Sequence, residues 1–427
     1  MELGKREMEL LQKINFIRTC GTEEEKKAAG ILADEVRAIG LEPTLETFEV
    51  ERWDVKKVSL VSKGKSWEVT GYGMSGSTPE EGITAPFAYV QEAEDVDLVN
   101  AKGKIVLVNG RITDKVYPRL VKAGILGFIT FSGNIVDERE KTDLDERNLR
   151  DWATKHGKIP GVNMRAMDAI ELVNSEPETI TLTLVQEEGT ATSQNVVAEL
   201  PGTDPRGETI VFGAHYDSVP FSHGVYDNGA GSVIIMELLR YFKVNPPKRN
   251  LRFAWFGSEE RGLLGSKAYV EAHKEDMEGI SLMVNVDVAG PVLGKDSAAI
   301  TGDISLCHMV EYLSKEVGFP LLVKQDIYSS DSIPFADNGV PGINFCRFGA
   351  PGGANIHCRH DVMDALAAKN LDATTQFILT FCQRIVNSVV FPVPHKMPQN
   401  MVEAVDKYLK KENKDKEKDK KDNKESK

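Results

Sequence analysis

Between Gln194 and Cys346 the chain alternates short apolar runs with longer amphipathic ones. The apolar runs Val196–Leu200, Thr209–Gly213, Asn250–Phe256, Leu282–Val286 and Gly342–Cys346 have the length and continuity of strands buried on both faces. The stretches Gly229–Phe242, Leu263–His273, Leu306–Val317 and Ala365–Val389 follow helical spacing. Such alternation predicts an α/β fold, a mostly parallel central sheet flanked by helices. Residues 5–40 read as helical: Thr22 before Glu23-Glu24-Glu25 marks a helix start, Ala29, Leu32, Ala33, Val36 and Ile39 repeat at helical spacing, and Gly40 is a stop. Leu41–Val50 alternates like a strand. From Arg52 to Glu178 the texture changes to short β-like runs (Val58–Val61, Trp67–Thr70, Lys104–Val108, Gly127–Phe131) between glycine-rich turns, and 101–129 reads as strand, helix, strand. The expected organisation is a larger discontinuous domain, 1–50 with 179–405, interrupted by a smaller β-rich domain at 51–178. Residues 410–427, nearly all Lys, Glu, Asp and Asn, are expected to form a disordered tail.

Composition narrows the function. A formal charge of −13 over 427 residues argues against nucleic-acid and anionic-membrane partners, both of which need a basic face. No apolar run approaches the ~20 residues of a membrane span, and the charged, amphipathic N-terminus lacks an apolar signal core. The five cysteines are widely spaced and without CxxC, as expected of reduced thiols in a cytoplasmic chain.

Chemistry-capable residues gather at the ends of the apolar runs. The first ends in His215-Tyr216-Asp217; ten residues later Asp227 precedes Asn228-Gly229-Ala230-Gly231 and a helix. The run NLRFAWFGS leads to Glu259-Glu260, SLMVNV leads to Asp287, and a glycine-rich loop from Phe348 to Asn355 leads to His357. In an open parallel sheet, ligands bind outside the carboxyl ends of the strands. Separate segments would therefore aim these side chains at one place. Two imidazoles with the carboxylates of Asp227, Glu260 and Asp287 can hold two divalent ions if one carboxylate bridges, and such a set suits zinc. Two ions roughly 3.5–4 Å apart acidify a shared water and clamp a tetrahedral intermediate. In the Glu pair one residue coordinates and its neighbour is placed to act as general base. Asp217, two residues past His215 on extended chain, lies on the same face and is suited to orienting the imidazole. Each feature has a bland alternative: a Glu pair is usually a solvated face, Asp227 could cap a helix, the insert could be purely structural, and Cys358 beside His357 reads as a neighbour. Their joint appearance favours the metal site.

These residues lie in segments that resemble the di-zinc exopeptidases of the leucyl-aminopeptidase and glutamate-carboxypeptidase type, metallopeptidase family twenty-eight. The matching pieces are GAHYDS (213–218), YDNGAG (226–231), GSEERGLLGS (257–266), NVDVAG (285–290), DSIPFADNGVPGINF (331–345) and IHCRHDVMD (356–364), and 18–48 resembles the family's leading helices. The region 101–129 is similar to the protease-associated domain often inserted there. The resemblance implies the zinc exopeptidase fold and two Zn2+ per chain. One ion would take Asp227, Glu260 and His357; the other would take Asp227, Asp287 and His215. Glu259 would be the general base and Asp217 the partner of His215. Two departures stand out: Ser332 occupies a position where the family often has His, and Cys358 follows His357 where Thr is common. His360 is the alternative to His357, Tyr328 is a candidate hydrogen-bond donor to the oxyanion, and His223 reads as a rim residue. The implied activity is an aminopeptidase acting on peptides. A carboxypeptidase or dipeptidase, with Arg261, Arg347 or Arg359 capturing a carboxylate, is the alternative, followed by a pyroglutamate-forming cyclase and a non-catalytic binding protein.

Overall fold

The computed structural model describes residues 2–139, 142, 144–204 and 207–410. The chain divides into two compact units, Met1–Val50 with everything from Thr192 onward, and Glu51–Ala191. The boundary falls at 191/192 rather than at 178/179 because Thr179–Leu200 is one continuous strand. Its first residues pair with Ile83–Pro86 of the insert, and its last pair with Leu251–Trp255 of the larger unit. The expected tail from Lys410 lies, apart from Lys410 itself, outside the described residues.

In the larger unit, four strands run parallel in the spatial order Asn250–Phe256, Thr209–His215, Ile280–Val286, Gly342–Gly349. On one flank Val196–Leu200 is antiparallel to Asn250–Phe256. On the other, Gly294–Thr301 is antiparallel to Gly342–Gly349 and parallel to Leu322–Gln325. Strand alternation sends Ile210, Phe212 and Ala214 to one apolar cluster and Val211 to the other. The same split places Phe253 and Trp255 on the first face and Ala254 and Phe256 on the second. Both faces are thus buried, which is why these strands read as continuous apolar runs. Helices Glu2–Lys13, Ala230–Val244 and Ala368–Val386 cover the first face; Leu264–Ala272 and Ser332–Asp337 cover the second. Among the described residues, no helix is long and apolar enough to cross a membrane.

The N-terminal helical stretch is two helices, Glu2–Lys13 and Glu23–Ala38. The Thr22 hydroxyl accepts from Glu25 N at 3.2 Å, as the sequence predicts, and Gly40 follows with φ +83°. The break between the helices accommodates Arg18, whose side chain is wholly buried. The strands Gly294–Thr301 and Leu322–Gln325 and the helices Ser332–Asp337 and Gln399–Tyr408 are additional to the elements expected from the sequence. Leu322–Gln325 is the edge strand and Gly294–Thr301 its inner neighbour, and both are less uniformly buried than the central strands.

The insert builds its own parallel core from Ile83–Tyr89, Ile105–Leu107, Gly127–Ser132 and Gly161–Arg165, with Thr70–Gly73 antiparallel beside the last. Helix Val116–Ala123 connects the second and third strands, matching the expected strand, helix, strand. Its two apolar clusters centre on Leu107, Ile129 and Leu182 and on Tyr117 and Phe128.

One buried group gives the larger unit a pH dependence. Glu7 is fully buried, bonds Thr375 through one oxygen, and leaves the other without a partner. Burial pushes its carboxyl up to about 8 from 4.5. Because the folded state disfavours the charged form, this group costs nothing below pH ~4.5 and progressively destabilises the fold as pH rises towards 8. Glu7→Gln should remove roughly 2–4 kcal/mol of the stability lost between pH 5 and pH 8, read by urea unfolding at both pH values; equal losses in both proteins would contradict this.

Candidate metal centre

His215 is the last residue of its strand, and the parallel register sets it opposite Phe256. The neighbouring strand therefore delivers Glu259 and Glu260 just past the sheet edge, after Ser258 turns through φ +57°. On the other side Asp287 follows Val286 directly, its N–H donating to Phe345 O at 3.1 Å. Asp227 lies in the turn entering helix Ala230–Val244, which Asn228 locks in place. The Asn228 amide donates to Val286 O at 2.8 Å, and its oxygen accepts from Gly231 N at 2.9 Å and Val288 N at 3.2 Å. A Cβ at Gly231 would sit 2.3 Å from Val286 O, so this approach of turn and strand requires glycine. His357 arrives on the loop after Gly342–Gly349 with φ +57°, and its side chain is 48% exposed, whereas His215, Asp227 and Asp287 are buried and Glu260 is half-buried.

Asp227 divides its two oxygens. Oδ1 is 3.2 Å from His215 Nε2, and Oδ2 is 3.1 Å from His357 Nε2. His215 Nε2 is also 3.5 Å from Asp287 Oδ1, and His357 Nε2 is 3.0 Å from Glu260 Oε2. Two groups of three donors result, His215–Asp227–Asp287 and Asp227–Glu260–His357, each with its ligand atoms within 4.8 Å of one another. Asp287 Oδ1 and Glu260 Oε1 are buried and accept no hydrogen bond. Ionised carboxylate oxygens accept only, so burying them in this way is costly unless a cation faces them. The donor set therefore fits divalent ions.

The other carboxylates hold this arrangement. Asp217 is fully buried; its Oδ1 and Oδ2 accept from Glu259 N at 2.9 Å and Glu260 N at 3.2 Å, and Oδ1 is 3.4 Å from His215 Nδ1. It thus supports the Glu pair as well as facing the imidazole. Asp361 accepts from Tyr226 N at 2.7 Å and Asp227 N at 3.1 Å.

Electrostatically, the cluster is carboxylates compensated by imidazoles. Burial opposes ionisation of Asp227, but the hydrogen bonds from His215 and His357 hold it well below the usual carboxylate range. Burial pushes Glu259 well up and Glu260 to about 7. For His357 burial favours the neutral ring, yet Asp227 and Glu260 raise it to about 11. His215 likewise ends well above its ordinary value, burial being outweighed by Glu259, Asp217, Asp227 and Asp287.

The remaining candidates are placed elsewhere. His360 is exposed and belongs to neither donor group. His223 is an exposed residue whose ring contacts Asn15 Oδ1 at 2.8 Å. The Ser332 hydroxyl accepts from Asn344 Nδ2 at 2.7 Å, within a buried ladder in which Asn285 Nδ2 also reaches Asn344 Oδ1 and Ser330 Oγ. Tyr328 packs edge-on against Phe348 with ring centroids 5.7 Å apart. Arg347 is engaged by Pro291 O and Asp296. The sequence reading gave no role to Asp361, Asp331 or Arg18. Asp361 and Asp331 are buried here, and burial pushes each to about 7.

Residues 195–382 match the model of peptidase family M28. That span contains every residue of both donor groups. The match to this family is confined to that segment of the 427-residue chain. Aminopeptidase YwaD of Bacillus subtilis is 29% identical over 337 residues, 77% of this chain and 71% of that protein. Leucine aminopeptidase 2 of the fungus Arthroderma otae is 29% identical over 286 residues, and the match spans only about half of it, 54%. The fold resembles the crystal structure of a zinc aminopeptidase from Bacillus subtilis with a TM-score of 0.76 at 24% identity, covering 92% of this chain and 98% of that one. It also resembles an aminopeptidase from Aneurinibacillus with a TM-score of 0.71 at 20% identity, covering 93% and 98%.

As a metallopeptidase, the protein should depend on the double role of Asp217. Asp217→Asn keeps the shape but replaces one acceptor oxygen by a donor facing an N–H. Peptide hydrolysis should fall about 10–100-fold with the far-ultraviolet circular dichroism unchanged; full activity would show that Asp217 is not needed to seat the Glu pair.

Proposed function

We propose that the protein is an aminopeptidase that releases N-terminal residues from peptides using two zinc ions. The observation that carries this reading is the division of Asp227 between two donor triads, one oxygen towards each imidazole. In it, His215, Asp227 and Asp287 hold one ion and Asp227, Glu260 and His357 the other. When bound, such a pair lowers the pKa of a water and stabilises negative charge on the scissile carbonyl oxygen. Glu259 Oε2 lies 3.9 Å from His215 Nε2, at the mouth of the first triad. From there its carboxylate takes a proton from the attacking water and returns it to the leaving amine nitrogen. Burial raises the Glu259 carboxyl, the direction a base working near neutrality requires. Asp217 keeps Glu259 and Glu260 in register by accepting from both of their N–H groups.

The aminopeptidase names of the relatives in Bacillus and fungi support the choice of substrate end. So does Arg347, whose guanidinium is already held by Asp296 and Pro291 O rather than offered to a substrate carboxylate. The insert, read as a protease-associated domain, would bear on substrate choice rather than on the chemistry.

Glu259→Gln should retain about two equivalents of zinc by metal analysis and lose kcat by roughly 10²–10⁴-fold; near-normal turnover would remove Glu259 from the mechanism. On a panel of amino-acid p-nitroanilides and N-blocked peptides, cleavage should require a free amine and vanish with chelator. Release of C-terminal residues from N-blocked peptides would instead establish a carboxypeptidase.

A further inference from the structure

Arg18 has no place in the chemistry described so far, yet it is among the most buried polar residues of the chain, with no exposed surface. It lies between the two N-terminal helices, far in sequence from every proposed ligand. Its guanidinium donates to five main-chain carbonyls. Nε reaches Tyr216 O; Nη1 reaches Ile14 O at 3.0 Å, Phe16 O at 3.1 Å and His223 O; Nη2 reaches Gly224 O at 2.7 Å. Its own main chain joins the same loop: Arg18 N donates to Ser218 Oγ at 3.1 Å, and Ser218 N donates to Arg18 O at 3.2 Å.

These contacts have a specific location. Tyr216 stands between His215 and Asp217, and His223-Gly224 stand just before Tyr226-Asp227. One guanidinium thus ties together the two ends of the loop that carries His215 at its start and Asp227 at its finish. A Cβ at Gly224, where φ is +56°, would come within 2.6 Å of Asp227 O and 3.2 Å of Arg18 Nη2. The approach of the loop to the arginine therefore needs glycine. A guanidinium supplies five N–H donors in a fixed fork, whereas an ammonium supplies three. The five acceptors are neutral carbonyls, three of them sharing the two Nη1 hydrogens, so the hydrogen bonding does not neutralise the charge. That charge bears through space on Asp361, Asp217, Asp227 and Glu260, and although burial lowers Arg18 to about 10 it remains protonated.

We propose that Arg18 is a positioning residue for the metal centre: its guanidinium clamps the 216–224 loop and so fixes the spacing between His215 and the shared carboxylate of Asp227. This rests on the two-ion reading of the site. Arg18 touches neither substrate nor ion, and its effect runs through the separation of two ligands.

The test compares Arg18→Lys and Arg18→Ala with the parent in the full chain. Arg18→Lys keeps a charge but can serve at most three carbonyls. Both variants, stripped and reloaded with cobalt, should show an altered visible absorption spectrum and metal affinity about 10–100-fold weaker. Their kcat should fall by a similar factor with KM changed less than threefold. Guanidinium ion at millimolar concentration should restore activity to Arg18→Ala, while the same concentration of sodium or methylammonium should not. A parent-like cobalt spectrum, affinity and kcat in Arg18→Lys would overturn the proposal. So would a failure of both variants to fold, which would make Arg18 a determinant of the fold rather than of the site. A parent that binds two cobalt ions but hydrolyses no peptide would overturn the peptidase reading alone, because the spectrum and affinity of the variants would still report on the clamp.

Discussion

The bifurcation of Asp227 is the constraint around which the larger unit is arranged. For its two oxygens to face two imidazoles at 3.2 and 3.1 Å, the turn entering helix Ala230–Val244 must lie against the end of the Ile280–Val286 strand. Asn228 makes that junction by bonding Val286 O, Val288 N and Gly231 N at once. The junction in turn needs glycine at 231, and it needs Asp361 to receive the N–H groups of Tyr226 and Asp227. Moving any one of these would change a ligand separation before it changed the fold.

The surrounding polypeptide accepts an electrostatic cost to do this. Asp217, Asp227, Asp287, Asp331 and Asp361 are all buried near one sheet edge. Without compensation, such a concentration of carboxylates in a low-dielectric site would be driven to its neutral forms. The raised pKa values of Glu260, Asp331 and Asp361, each near 7, show burial pressing in that direction. Positive charge comes from the imidazoles, from Arg18 beneath the loop and, in the proposed function, from bound ions. The apolar strands on either side supply the rigidity that keeps these groups from relaxing apart.

A division of labour follows from the topology. The parallel strands place His215 and Asp287 by register, because neighbouring strands end at the same level, while the Glu pair also needs the turn at Ser258 and the acceptor oxygens of Asp217. Asp227 and His357 come from loops, and the chain spends further hydrogen bonds, glycines and a positive φ to place them. The insert has its own apolar clusters and contributes none of the donors.

The central strands, the helix that begins after Thr22 and the residues of the two candidate donor groups were legible in the chain. Strands buried on both faces must be continuously apolar, and a metal site must place His and carboxylate where such strands end. What the linear pattern did not contain is what depends on long-range packing. The break at Arg18 is one case, since a buried arginine is recognisable only once the distant carbonyls of Tyr216, His223 and Gly224 close around it. The division within Thr179–Leu200 is another, because one uninterrupted strand pairs at its start with Ile83–Pro86 of the insert and at its end with Leu251–Trp255 of the larger unit. Asp361 belongs with them: its carboxylate meets the N–H groups of Tyr226 and Asp227 only once folding brings it there. The sequence by itself determined which groups could do the chemistry, because local patterning and residue type encode them. Only the tertiary structure decided which groups hold them there, because hydrogen bonds between residues two hundred positions apart leave no local signature.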